Sequence, residues 1–322
     1  MKLRVLLLLF VFLSQLQVTK ANDNTPDTVY TGIYITSIHD INFRDKEYSV
    51  NLWLWLKYRN PDFDFTKNLE IPNAKSFSTA YTTTDTTEDG KIYVLMKLQC
   101  VMKDSWKIDR FPFDFQTLRL SFENSQYDTT SLVFAVDSTG EHFGRFTISG
   151  WDIVSDCLKL LVKNQPYKTA FGDESLAKPY TAYSSFKVRI GIARQAPWTL
   201  FWKIFLGMYV AFFIAFVGFY IHSGSVEARF GLSVGALFAA VGNKYIIDSS
   251  LPDSVSQTLV DSLHGTTLLS IFLIIVATII SLRYVKKNSS EKANKFDRIC
   301  SRILLSVYIL LNCYFVYSAY SG

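Results

Sequence analysis

From Pro197 onward, apolar residues fill long segments that follow one another almost without interruption. A helix needs about 20 mostly apolar residues to cross a bilayer. Residues 198–221 carry Lys203 as their only charge, and residues 263–282 and 303–320 carry none. A fourth segment, about 229–247, is less apolar, as expected of a helix with one face that never meets lipid. Such runs exclude an ordinary soluble enzyme. Yet only 49% of the 322 residues are hydrophobic and the mean hydropathy is barely positive, so the chain divides into a soluble half and a membrane half.

The soluble half has a different period. Residues 30–194 alternate apolar and polar side chains in short runs rich in aromatic and β-branched residues, bounded by Asn, Asp, Gly or Pro. Roughly eight to ten strands without helical segments between them predict an all-β sandwich. The chain begins with a basic start and a short apolar run, the layout of a signal peptide over 1–21 cleaved after Ala21. The expected domains are then a 22–196 sandwich and a 197–322 membrane domain, with helices at about 198–221, 227–248, 260–286 and 297–320.

Lys286, Lys287, Lys292, Lys295, Arg298 and Arg302 cluster between the third and fourth segments, which marks that linker as cytoplasmic. Counting back, the sandwich lies outside a plasma (inner) membrane crossed several times, in agreement with the signal peptide. The net charge of +5 is small, and no basic aromatic patch suggests nucleic acid. Cys100 and Cys157 fall in the exported half, and whether they pair is left open. No CxxC or zinc spacing occurs, and the four histidines lie far apart. No catalytic residue, metal or cofactor is expected, and the chain is not read as an enzyme. The single Asn-x-Ser/Thr sequon, at Asn288, falls on the inner side, which favours a bacterial origin.

At helical period, Glu227, Gly231, Gly235, Phe238, Gly242, Tyr245 and Ser249 share one stripe of the second apolar segment. Leu, Val, Ala and Ile occupy its other faces. Two readings compete: the GxxxG pair of Gly231 and Gly235 packs closely on another helix, or several copies surround an axis and the stripe walls a pore.

Residues 104–118 carry Phe111-Pro112-Phe113-Asp114-Phe115-Gln116, a rigid apolar knuckle beside a carboxylate that needs a cation. Together with the sandwich, Arg194 before the first span, four spans and Pro252 after the second, this loop resembles the signature loop of the pentameric ligand-gated ion channels, the Cys-loop receptor superfamily. The family's two bracketing cysteines would fall at Asp104 and Leu118, so the eponymous disulfide is absent, as in the prokaryotic branch. Gly207 stands where many members have proline in the first helix.

The resemblance implies an extracellular sandwich of about ten strands above four helices, with four further copies of the chain closing a homopentamer round a central pore. The second helix would line that pore through Glu227, Gly231, Gly235, Phe238, Gly242 and Tyr245. Five Glu227 carboxylates would favour monovalent cations, unless each merely pairs with nearby Arg229. Phe238 and Tyr245 are the bulky candidates for a hydrophobic gate. Agonist sites between subunits would draw on Phe77, on the 123–127 stretch with Glu123 and Tyr127, and on the 165–183 hairpin with Tyr167, Phe171, Tyr180 and Tyr183. Trp53 and Trp55 would face them from the neighbour. Such aromatics suit an amine agonist, with protons as the rival stimulus. Asp114, Arg194, Asp45 and Pro252 would couple the two domains. A non-conducting membrane receptor of the same fold is the remaining alternative.

Overall fold

The computed structural model describes residues 25–154, 158–169, 171–172 and 180–321. Ten strands lie among the described residues: β1 (Asp27–Asn42), β2 (Glu47–Tyr58), β3 (Leu69–Glu70), β4 (Ala74–Thr86), β5 (Ile92–Lys103), β6 (Phe115–Asn124), β7 (Leu132–Val136), β8 (Trp151–Ile153), β9 (Lys159–Tyr167) and β10 (Thr181–Arg194). One sheet runs β4-β5-β2-β1-β7 and the other β3-β6-β10-β8, with β9 along β10. The β1–β7 pair is parallel and the other pairs are antiparallel.

Alternation sets the layers. In β2, Tyr48, Val50, Leu52, Leu54, Leu56 and Tyr58 turn inward and are buried, while the residues between them are half-buried on the outer face. Leu118, Leu120 and Phe122 of β6 and Phe186, Val188, Ile190 and Ile192 of β10 close the core from the other sheet. Each large apolar side chain so buried contributes about 1.5–3 kcal/mol.

Four helices follow: α1 (Pro197–Val217), α2 (Val226–Asp248), α3 (Leu259–Lys286) and α4 (Ser290–Ser321). Each is long and apolar enough to cross a membrane, and α2 is the least apolar. Helix α1 packs on α2 and α3, and α3 packs on α4. Rows of exposed apolar residues on α1, α3 and α4, such as Phe213, Phe272 and Leu310, form the outer surface of the bundle. This is a multi-pass membrane protein.

Helix α4 starts at Ser290, not near residue 297. The basic run is amphipathic: Ala293, Asp297 and Ser301 are buried on α4, while Lys292, Lys295, Arg298 and Arg302 stay exposed, so the charges extend the helix instead of forming a linker. Helix α3 begins with a capping box in which Thr258 and Asp261 satisfy each other's backbone N–H groups. The expected signal peptide and Cys157 lie outside the described residues, and Cys100 is buried in the sandwich core with no disulfide among the described residues.

Candidate functional site

Helix α2 divides cleanly into two faces. Arg229, Ser233, Ala236, Ala240 and Ile247 are buried against the chain's own helices. Glu227, Gly231, Gly235, Phe238, Gly242 and Tyr245 all lie on the exposed side, where Phe238 is 72% and Tyr245 74% exposed. A Cβ built on any of the three glycines would meet nothing within 4 Å, so no close helix contact among the described residues uses them. Val234, Val241 and Ile246 are exposed beside the stripe.

The sequence offered Arg229 as a partner for Glu227, and the structure gives it another. Arg229 is 1% exposed, and its Nη2 lies 2.8 Å from Asp297 Oδ2 on α4. Its Nε donates to the Ile221 carbonyl at 3.1 Å, and Nη2 donates to the same oxygen. Ser281 Oγ of α3 donates to Asp297 Oδ2 at 3.0 Å. One guanidinium therefore ties the start of α2 to the other elements of the bundle. Sequence reasoning missed this pair. The available signal was two stray charges, an arginine opening an apolar helix and an aspartate inside a basic run, each needing the other in a medium of low polarity.

At the junction, Arg194 Nε donates to Asp114 Oδ1 at 2.6 Å. The guanidinium sits over three rings, 4.3 Å from the Trp151 centroid, 4.7 Å from Phe111 and 4.9 Å from Phe43. A guanidinium bracketed by carboxylates was expected, and one carboxylate plus an aromatic cage is found. Asp45 does not take part: its carboxylate accepts from Asn42 at 2.7 Å within its own turn, which holds it on the surface. The signature loop turns at Phe111-Pro112 and inserts Phe113 among Trp198 at 4.8 Å, Tyr320 at 5.7 Å and Phe201 at 5.8 Å.

Three further hydrogen bonds join the domains. The Asp109 carbonyl accepts from the Leu259 N–H at 2.9 Å, and Arg44 Nη1 donates to the Ser249 carbonyl at 3.2 Å. Ser256 Oγ donates to the Asp109 carboxylate. Pro252 is buried in the same α2–α3 connection. A cleft of about 840 Å³ opens here, lined by Phe43, Phe111, Arg194, Leu200, Ser250 and Leu251 among others.

The aromatic candidates divide between two surfaces. Tyr167, Phe171 and Tyr183 meet edge-on with centroids 5.8–6.5 Å apart, and Tyr167 Oη donates to Glu123 Oε2 at 2.9 Å. Burial raises the Glu123 pKa, and burial followed by the Glu123 hydrogen bond raises that of Tyr167. Burial likewise raises Tyr183. Pairing of β3 with β6 sets Glu70 opposite Glu123. Tyr180 is exposed at the edge of this cluster's strand β10.

On the other surface, Trp53 meets Tyr81 edge-on at 5.9 Å, with Lys97 Nζ 5.5 Å from its ring centroid. Trp55 is not an open platform: a Cβ on Gly32 would run into its ring, and its indole N–H donates to Asp137 Oδ2 at 2.9 Å. Burial opposes ionisation of Asp137, but hydrogen bonds from Thr139, Lys57 and Trp55 hold its pKa well below the usual carboxylate range. Phe77 was expected beside Glu123 and Tyr183. It lies on β4, in register with Cys100 of β5, and so belongs to the opposite sheet. Tyr127 packs on Phe63 at 4.8 Å, drawn into the core.

Sequence reasoning also missed a polar cluster inside the helix bundle. Asn243 Nδ2 of α2 donates to the Ile204 carbonyl at 3.1 Å, and Asn243 Oδ1 lies 3.0 Å from His264 Nε2 of α3. A Cβ on Gly207 would come within 3.2 Å of the Asn243 amide, so glycine in α1 makes room for that approach.

A sandwich joined through a loop and a caged arginine to four helices long and apolar enough to cross a membrane, one bearing a polar-aromatic stripe without a partner among the described residues, defines a multi-pass membrane protein with a folded β domain. No family model matches the chain. The chain is 24% identical over 307 residues to the proton-gated ion channel of Gloeobacter violaceus, covering 89% of this chain and 81% of that protein. The ten strands, the four apolar helices and the similarity along most of the chain are consistent with the fold of the pentameric ligand-gated ion channels.

Proposed function

We propose that the chain forms a homopentameric, cation-selective ion channel whose sandwich faces outside the cytoplasm and receives the opening stimulus. The exposed stripe of α2 carries this reading. Its acid, glycines and two aromatic rings have no partner within the described subunit, while the opposite face of the same helix is buried. A polar face in a membrane must meet protein or water, and a fivefold arrangement gives it water. Closing five copies round an axis uses head-to-tail contacts, which suit the two unlike aromatic surfaces of one sandwich.

In this reading Glu227 forms the acidic ring at the cytoplasmic mouth, and Phe238 or Tyr245 closes the pore by excluding water. Phe113 and Arg194 carry motion of the sandwich to α1, and the Asp109 contacts carry it to the α2–α3 connection. The stimulus acts by binding the open arrangement better than the closed one.

Two stimuli fit the Tyr167–Phe171–Tyr183 cluster. An amine suits ring faces beside a carboxylate. Protons are favoured by Glu123, because a carboxyl with a raised pKa changes charge nearer to neutral pH than an ordinary one, and by the relative's own proton gating. The deciding experiment is planar-bilayer recording from the purified protein, first through a pH series in buffer alone and then with an amine panel. Current on acidification alone selects protons. Current only with an amine selects the agonist site. Silence under every condition with intact pentamers sinks the channel reading and leaves a non-conducting receptor.

A further inference from the structure

The first turn of α2 presents opposite charges two residues apart, Glu227 and Arg229. Were both to face the mouth of a pore, the five acids and five bases of a pentamer would cancel there and no sign of ion would be preferred. The fold separates them. Glu227 is exposed, and Arg229 is turned into the bundle and 1% exposed.

Three features show what keeps Arg229 inside. Asp297 supplies the only carboxylate in contact with it among the described residues, at 2.8 Å. The Ile221 carbonyl accepts from two of its nitrogens, and Ser281 fixes the carboxylate from the far side. The pair is nevertheless incompletely satisfied, since Arg229 Nη1 and Asp297 Oδ1 have no hydrogen-bond partner among the described residues. The positive end of the α2 dipole also repels a cation in its first turn. A buried guanidinium so placed depends on its counter-ion, and without one it gains by reaching water. Water is available at the helix start, beside Glu227.

We propose that Asp297, on the outermost helix in sequence, is a specificity-determining residue: it sequesters Arg229 from the ion path, so that Glu227 alone sets the charge of the mouth. Asp297 acts through Arg229 and touches no ion itself. The proposal rests on the cation-channel reading of α2, and the experiment separates the two.

Reversal potentials in a sodium chloride gradient are measured for the wild type, Glu227→Gln, Asp297→Asn, Arg229→Gln and the double variant Arg229→Gln/Asp297→Asn. Glu227→Gln lowers the cation-to-anion permeability ratio and so checks the underlying reading. Asp297→Asn lowers it by about threefold, the order expected for single charges about a helical turn apart in water. The double variant, having no cation to release, returns to the wild-type ratio. Loss of packing alone would not be repaired by a second core substitution. An unchanged ratio in Asp297→Asn, or a double variant as low as the single, overturns the proposal even where Glu227→Gln behaves as stated. No effect of Glu227→Gln refutes the reading of the mouth instead. Should Asp297→Asn fail to assemble, Ser281→Ala takes its place: it keeps every charge and frees one side of the Asp297 carboxylate. A lowered ratio there supports sequestration and an unaltered one overturns it.

Discussion

Arg194 and Arg229 are both arginines held by a single aspartate, yet their surroundings differ. At the domain junction, Arg194 is bound on its edge by Asp114 and on its faces by Phe43, Phe111 and Trp151, beside an open cleft. At the base of the helix bundle, Arg229 is enclosed completely, with a carbonyl and one carboxylate and no ring near it among the described aromatic contacts. Rings attract a guanidinium without fixing its hydrogen bonds, so the first site can hold its cation in more than one arrangement. A buried ion pair shut off from water carries a steep cost for separating its members. The junction suits a moving contact, and the bundle base suits a permanent one.

That contrast is most severely tested at Arg194. Replacing it with alanine leaves the Asp114 carboxylate, 2% exposed, without its cation, a loss of about 3–5 kcal/mol for a buried pair. Pentamer yield by size exclusion and evoked current should both fall sharply, and ordinary responses would remove Arg194 from coupling. Arg194→Lys sharpens the point: it keeps the charge and loses the planar face, so assembly should survive better than gating.

Glu227→Gln should act on selectivity alone. Its side chain is exposed and supports no packing, so assembly should match the wild type while cation preference falls severalfold. Phe238→Ala should have a smaller effect, a leakier resting state or an activation curve shifted toward weaker stimulus. An unmoved curve would transfer the gate to Tyr245.

The smallest effect is expected at Glu123. Because burial raises its folded-state pKa, the folded protein holds a proton that the unfolded chain has already released. The sandwich should therefore lose stability as pH rises from the usual carboxylate range through the raised pKa, and regain it on acidification. Glu123→Gln should flatten this dependence in thermal melts, and should also shift or abolish acid activation if protons are the stimulus. A melt profile identical to wild type would mean Glu123 does not titrate in that window.

Much of the fold was legible because it depends on one-dimensional patterns. Strand β2 alternates strictly, so Tyr48 through Tyr58 had to face one core, and the spans after Pro197 could only lie in hydrocarbon or against one another. The α2 stripe was legible for the same reason. The candidate ligand residues were less so. Trp53 and Trp55 share a strand face and are both half-buried, but only the tertiary structure shows that Trp55 is packed over Gly32 and tied to Asp137 while Trp53 meets Tyr81. Phe77 and Glu123 were assigned to the same side of the agonist site, yet β4 joins one sheet and β6 the other. The start of α4 was misread because charge was taken as a sign of a linker, although every fourth residue there is buried.

The sequence by itself determined the two halves, the number of spans and which residues of α2 share a face, since hydrophobic period and run length need no knowledge of neighbours. Tertiary structure alone decided the partners of charges: Arg229 with Asp297 across 68 residues, Arg194 with Asp114 across 80, and Asp45 with neither. Pairing energies depend on separation in space and on exclusion of water, and neither quantity is written along the chain.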